Sequence, residues 1–294
     1  MSKFLKIYYY ALFGAFGGLL SWFISAELEL FLDFGKWRTL FIGGLLGFWI
    51  GGFTAIADPL LSRSFLRAGH NFVLGALIGS LGGMIGLSLG EFYFQKMGGG
   101  SLIRVIGYGI LGLFLGISQS KVGDSPLAKG ITGGTLGGIL GGLFLEYTLS
   151  QGSEYVAQAT ALSFTVLGAC IGAFMVLVAT MLMSAWLEVK NGKMQGKVYD
   201  LTKFVYSFKQ KYSEAIIGSD ELKSDIYLLG DTSIDAHHAS ISRQAERHIL
   251  KDLGSKRGTF VRGASIQEHI LKDGDILQVG NTSVLYREKR KAIS

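Results

Sequence analysis

The side chains best suited to recognition chemistry lie late in the chain. Lys256-Arg257 and Arg262 are closely spaced cations, His237-His238 is an imidazole pair, and Asp235 is a carboxylate just before it. Guanidinium and ammonium groups at such spacing bind carboxylates or phosphates through charge-assisted hydrogen bonds. The histidines suggest a metal only superficially, because neighbours along a strand point to opposite faces and do not share one ion. Asp273-Gly274-Asp275 has the spacing of a tight turn and lacks the further ligands of a calcium loop. Gly107-Tyr108-Gly109-Ile110-Leu111-Gly112 matches a dinucleotide fingerprint in letters alone, with no strand before it and no acidic ribose partner after it. No nucleophile–base set, Walker loop or metal-ligand set occurs. The single cysteine, Cys170, sits in an apolar run and reads as a small buried hydrophobe. Binding is therefore expected in preference to catalysis, with no cofactor and no metal.

Short strands must position these groups. LEVKNGKMQGKVYDLTK (187–203) reads as two strands joined by a turn at Asn191-Gly192. After it come FVYSF (204–208), EAIIG (214–218), IYLL (226–229), ASIS (239–242), HILKD (248–252), FVRG (260–263), ILQVG (276–280) and SVLYRE (283–288), separated by Gly/Asp turns. Many short strands at regular spacing indicate a β-sandwich. Most of the net charge of +6 falls in this half, but its bases alternate with acids, so nucleic acid is not expected as a partner.

The order and spacing of several motifs in this half resemble the forkhead-associated (FHA) domain. Ile217-Gly218 opens the pattern and Asp225-Ile226 follows. His238-Ala239 matches the family's His-Ala pair, and Asp252-Leu253-Gly254-Ser255 leads to Gly258-Thr259-Phe260-Val261 and Gly263. Leu271, Asp273-Gly274-Asp275 and Val279-Gly280 close a resemblance that covers roughly 187–288. It implies phosphothreonine recognition by loops at one end of the sandwich. By position those loops are Ser219, Asp235, Ala236, His237, Lys256, Arg257 and Arg262, with Gly218, His238, Gly258 and Thr259 shaping them. Three usual phosphate contacts are altered: Ser219 stands for an arginine, Asp235 for a serine and Arg257 for an asparagine. A charge-assisted hydrogen bond contributes about 1.5–3 kcal/mol. A carboxylate about 4 Å from a phosphate charge repels it by roughly 4 kcal/mol at an effective dielectric near 20. Three readings stay open here: an internal Asp235–Arg257 pair, a surface for an acidic partner, or retained phosphothreonine binding.

The first half is of another kind. The chain is 49% hydrophobic, and its 43 glycines are concentrated before residue 188. Six apolar stretches, near 7–25, 39–57, 72–90, 102–118, 130–148 and 161–187, approach the roughly 20 residues that a bilayer span needs. They repeat in pairs: Gly17-Gly18, Gly82-Gly83 and Gly137-Gly138 occupy one place, and Gly47/Gly51, Gly112/Gly116 and Gly168/Gly172 another. Glycines four apart (Gly43, Gly47 and Gly51; Gly82 and Gly86; Gly112 and Gly116; Gly134, Gly138 and Gly142; Gly168 and Gly172) let helix backbones approach closely, and such grooves also suggest a homo-oligomer. Lys3, Lys6, Arg63, Arg67, Lys121 and Lys129 fall on one side. Glu27, Glu29, Asp33, Glu91, Glu146 and Glu154 fall on the other, together with Lys36, Arg38, Lys96 and Arg104. Both termini are therefore expected in the cytoplasm. Glu91, Glu146, Arg38 and Arg104 at helix ends read as interfacial anchors in preference to ion-pathway groups.

The expected architecture is an α-helical polytopic membrane domain, 1–186, with six spans in three hairpin repeats, followed by an all-β FHA-type sandwich, 187–294, with a short basic tail. The expected function is a non-enzymatic, membrane-anchored interaction module. It would present an altered FHA domain to a cytoplasmic protein partner, phosphorylated or not, at a bacterial inner membrane. The alternative is a channel, transporter or secretion component that the FHA domain regulates.

Overall fold

The computed structural model describes residues 3–61, 64–122, 126–151, 156–202, 214–221, 223–244 and 247–289. FVYSF (204–208), Arg63, Glu154 and the basic tail from 290 onward lie outside the described residues. The chain divides into a helical unit, Lys3–Leu182, and a β unit from Met183 onward. The division falls four residues before the expected 186/187, because the last helix stops at Met181 and the first strand already begins at Ala185.

Among the described residues the helical unit has six long helices: α1 (Lys3–Phe31), α2 (Arg38–Leu61), α3 (Phe65–Lys96), α4 (Ser101–Val122), α5 (Leu127–Ser150) and α6 (Val156–Met181). Five of them are long and apolar enough to cross a membrane; α5 is not among these five. Seven of its 24 residues are glycine, which adds no apolar side chain to the count. Pro126 directly precedes α5, whereas Pro59 lies within the last turn of α2 and not in the turn after it.

Each helix packs on its neighbours in sequence, and α6 packs back on α1. Glycine makes the approach possible. A methyl group at Gly47 would overlap the carbonyl oxygen of Gly79, one at Gly112 that of Gly134, and one at Gly168 that of Gly14. Gly43 and Gly51 meet Gly83 and Gly75, Gly86 meets Gly107, Gly116 meets Gly130, and Gly172 meets Tyr10. Gly82 packs on Phe114, and Gly138 and Gly142 on Tyr108. Every glycine of the expected series is thus used against another helix of the same chain. The grooves are filled, and they offer no argument for a second copy. Leu46, Ile50, Leu111, Leu115, Leu167 and Ile171, all from α2, α4 and α6, are at most 1% exposed and belong to one core cluster.

Charged residues at the helix ends pair between adjacent helices. The Arg38 guanidinium donates to both oxygens of Glu29 at 2.7 and 2.9 Å, and Arg104 to both oxygens of Glu91 at 2.8 and 3.3 Å. Glu146 stands 3.9 Å from Arg104. Lys6 pairs with Asp58 at 2.8 Å, and Gln119 donates to the Tyr10 hydroxyl at 2.7 Å.

The β unit is a sandwich with eleven strands among the described residues: β1 (Ala185–Val189), β2 (Val198–Asp200), β3 (Glu214–Gly218), β4 (Ile226–Tyr227), β5 (Ala239–Gln244), β6 (Arg247–Asp252), β7 (Thr259–Val261), β8 (Ala264–Ile266), β9 (Glu268–Ile270), β10 (Ile276–Val279) and β11 (Thr282–Glu288). One sheet runs β2-β1-β11-β10-β7-β8 and the other β4-β3-β5-β6-β9. Alternation along the strands turns Leu187 and Val189, Ile217, Ile241, Leu250, Leu277, Val279 and Tyr286 inward to one core. The expected two-residue turn at Asn191-Gly192 is instead a longer loop. Val189 donates to Lys197 O and accepts from Gly196 N–H, and both Gly192 and Gly196 have positive φ. β8 and β9 add to the strands legible in the sequence. ASI and EHI are too short and too polar to show an alternating pattern, and only their partners β7 and β6 make them strands.

Candidate binding site at the loop apex

Register decides which loops share an end of the sandwich. Ile217 pairs with Ala239, Ala239 with Asp252, and Val279 with both Thr259 and Thr282. The segments after β3, between β4 and β5, between β6 and β7, and between β10 and β11 therefore meet at one apex. Gly218, Ser219, Asp235, Ala236, His237, His238, Lys256, Arg257, Gly258 and Thr259 all lie on it.

Arg262 does not. It follows β7 and occupies the β7–β8 turn at the opposite end, with φ +50, beside Gly263 with φ +84. Its Nε donates to Asp275 Oδ1 at 2.7 Å, while Lys272 N–H and His269 Nε2 meet Asp275 Oδ2 at 2.8 and 3.2 Å. The apex expected to hold Lys256, Arg257 and Arg262 together has only the first two. The three-residue strand Thr259–Val261 separates Gly258 from Arg262, and at about 3.3 Å per residue it carries Arg262 to the other end.

The apex is built from carboxylates that look inward. Asp252 is the hub. Its Oδ2 accepts the N–H groups of Gly254 (3.0 Å) and Ser255 (3.1 Å), and its Oδ1 accepts the hydroxyls of Ser255 and Thr259 (both 2.6 Å). Burial alone would raise this carboxyl, but these donors outweigh it and hold it below the usual aspartate range. Asp231 plays the same part for the neighbouring loop. It accepts the Ser233 N–H (3.0 Å) and hydroxyl (2.5 Å), the Asn281 N–H (2.7 Å) and the Thr282 hydroxyl (3.0 Å). Burial pushes it up, the donors more than compensate, and its pKa falls to about 2. Neither aspartate was singled out from sequence as a structural hub. The turn signals Asp231-Thr232-Ser233 and Asp252-Leu253-Gly254-Ser255 announce their local bonds. Nothing in the sequence announces Asn281 as a partner of Asp231.

Asp235 joins two loops. Its Oδ2 accepts the Lys256 N–H at 2.7 Å, and its own N–H donates to His238 Nδ1 at 3.2 Å. His238 is fully buried, and its Nε2 lies 3.3 Å from the Gly258 carbonyl. That geometry calls for the neutral tautomer with its proton on Nε2. His237, by contrast, is exposed, so the two imidazoles do not converge. Ser219 turns its hydroxyl to the Ile234 carbonyl (2.9 Å), and its N–H to the Asp235 carbonyl (3.1 Å). Gly218 is required because a methyl group there would overlap the Ala236 carbonyl. The expected Asp235–Arg257 pair is not formed: the Asp235 carboxylate takes a backbone amide, while the Arg257 guanidinium reaches the Asn281 side-chain oxygen at 3.4 Å. Lys256 and Arg257 are exposed.

The amides of Gly254, Ser255 and Lys256 are three successive donors of the kind that cradle anions. All three are already taken by carboxylates of the same chain.

At the opposite end His248 is buried, with Nδ1 2.7 Å from the Tyr286 hydroxyl. Burial, aided by Arg243, lowers its pKa to about 4. A histidine whose folded pKa is depressed stabilises the fold fully above its unfolded pKa of about 6.5, and that contribution is lost as the pH falls toward 4. Going from pH 7 to 4.5 should thus cost the β unit on the order of 2–3 kcal/mol. Hydrogen exchange of β5 and β6 amides, corrected for intrinsic rates, would show the loss, and His248→Gln should flatten it. An unchanged pH dependence in that variant would contradict the assignment.

Residues 215–280 match the family model of the FHA domain. The FHA domain-containing protein FhaA of Mycobacterium tuberculosis is 34% identical over 61 residues, 21% of this chain and 12% of that protein. The oxoglutarate dehydrogenase inhibitor of Corynebacterium jeikeium is 27% identical over 103 residues, 35% of this chain and 64% of that one. The chain thus spans less than two thirds of either relative. The FHA domain of CT664 from Chlamydia trachomatis is 30% identical over 36% of this chain and 99% of its own, with a TM-score of 0.31. With the sandwich, its motifs in register and the family match over the same strands, residues 215–280 of this chain are an FHA domain.

Proposed function

We propose that the chain is a membrane-held, non-catalytic interaction module whose FHA domain docks a protein partner without reading phosphate. The observation that carries this is the Asp235 carboxylate on the Lys256 amide at 2.7 Å. A phosphate entering the apex would have to displace a negative charge from that donor, and it would meet Ser219 where the resemblance leads one to expect a guanidinium. With the Gly254 and Ser255 amides held by Asp252, no backbone donor of 254–256 is left for it.

The helical unit we read as three copies of one hairpin lying in the bilayer of a bacterial inner membrane, with both termini cytoplasmic. Support comes from contacts that recur at the positions the sequence aligns: Gly47 on Gly79, Gly112 on Gly134 and Gly168 on Gly14. The aligned triads Leu46/Leu111/Leu167 and Ile50/Leu115/Ile171 are all buried in one cluster. Filled apolar layers favour an anchor over an open conduit, and reconstituted protein is expected to give no flux of small ions across proteoliposomes.

The binding test uses the full-length protein and peptide libraries that differ only at a central residue, phosphothreonine or glutamate. Wild type should retain the phosphorylated set no better than the matched set with glutamate in place of the phosphothreonine, and Asp235→Ser combined with Ser219→Arg should bind the phosphorylated set at least tenfold more tightly than wild type does. Micromolar, phosphate-dependent binding by wild type, abolished in Arg257→Ala, would overturn the reading.

A further inference from the structure

The charges left outside the apex hydrogen bonds are of one sign on one loop. Asp231, Asp235 and Asp252 spend their oxygens on hydroxyls and backbone amides. Lys256 and Arg257, adjacent and exposed, project from the segment those aspartates hold in place. Arg257 has a 3.4 Å contact to the neutral Asn281 side chain, which leaves a planar fork of donors open to solvent. Lys193 belongs to the same rim: its side chain passes over Gly230, next to the Asp231 that fastens Asn281. The acidic residues Asp220 and Glu221 sit on the segment after β3, where Asp220 Oδ1 accepts the Lys223 N–H at 3.1 Å.

We propose that this rim takes an acidic, unphosphorylated peptide segment, with Arg257 clamping a carboxylate and Lys256 and Lys193 adding attraction. The proposal rests on the phosphate-independent reading above and names its partner class. A carboxylate is satisfied by one guanidinium, which it meets with two parallel hydrogen bonds. A bound phosphate dianion gains most from several convergent backbone amides, and here those are consumed. Three cations on a loop rim also fall short of the four to eight that a polybasic patch uses to hold an anionic bilayer.

The test uses the full chain in nanodiscs of zwitterionic lipid and a 15-residue peptide library made in three matched versions, with glutamate, glutamine or phosphothreonine at the varied positions. The glutamate set should be retained at least tenfold better than the glutamine set, and the preference should weaken as salt is raised. Arg257→Glu and Lys256→Glu, both at exposed positions, should each lower it about tenfold, and Arg257→Lys should restore part of it. Equal retention of all sets, no retention of any, or capture by anionic vesicles in place of peptide would overturn the proposal while leaving phosphate independence intact. Preference for the phosphothreonine set would overturn both.

Discussion

Gly47→Ala should prevent the helical unit from assembling in its native packing. The added methyl group would overlap the backbone carbonyl of Gly79, and backbone cannot rotate away as a side chain can. Relief requires α2 and α3 to separate, which forfeits the dispersion contacts along that seam. Overpacking typically costs about 1–3 kcal/mol, and an overlap with backbone falls at the upper end of that range. The expected result is loss of the monodisperse peak in detergent and a large drop in thermal stability. Gly69 is the control, because a methyl group there would meet nothing within 4 Å. Gly69→Ala should be neutral or stabilising by up to about 1 kcal/mol, the difference in helix propensity. Similar behaviour of the two variants would show that the glycine seams do not hold the unit together.

Asp252→Ala should destabilise the β unit by about 3–5 kcal/mol. The substitution strips the partner from four donors, the Gly254 and Ser255 amides and the Ser255 and Thr259 hydroxyls, in a site where Asp252 is 7% exposed and Thr259 is fully buried. Buried donors left without acceptors cost about 1–3 kcal/mol each, and water entering the loop recovers part of that. Asp252→Asn should fall between, since an amide presents one oxygen but turns donors toward donors. Limited proteolysis of the 253–258 segment and hydrogen exchange of β6 and β7 would report the change. Because the residues involved all belong to the β unit, exchange in the helices should stay as in wild type. Wild-type protection in Asp252→Ala would refute the hub.

These expectations rest on different kinds of legibility. The buried strands could be read in their main parts: alternating apolar residues in LEV, ASIS and SVLYRE face one core because side chains along a strand alternate. The glycine spacing announced close helix packing, and it did not announce the partners. Whether Gly168 would meet Gly14 of the same chain or a groove on a second copy depends on α6 returning to α1, a contact more than 150 residues apart in sequence. Arg262 looked like an apex cation because three residues are close in sequence, yet they span the length of a short strand.

What this sequence determined alone was local: which stretches are apolar enough to enter a bilayer, which alternate as strands, and which turn residues punctuate them, since each depends on near neighbours along the chain. Only the tertiary structure decided the charge pattern of the apex. Asp235 could have faced Arg257, a ligand or solvent, and it faces the Lys256 amide because the register of β5 on β6 and of β7 on β10 brings those two loops together. A hydrogen bond between residues far apart in sequence is set by strand pairing, and pairing is a property of the whole fold.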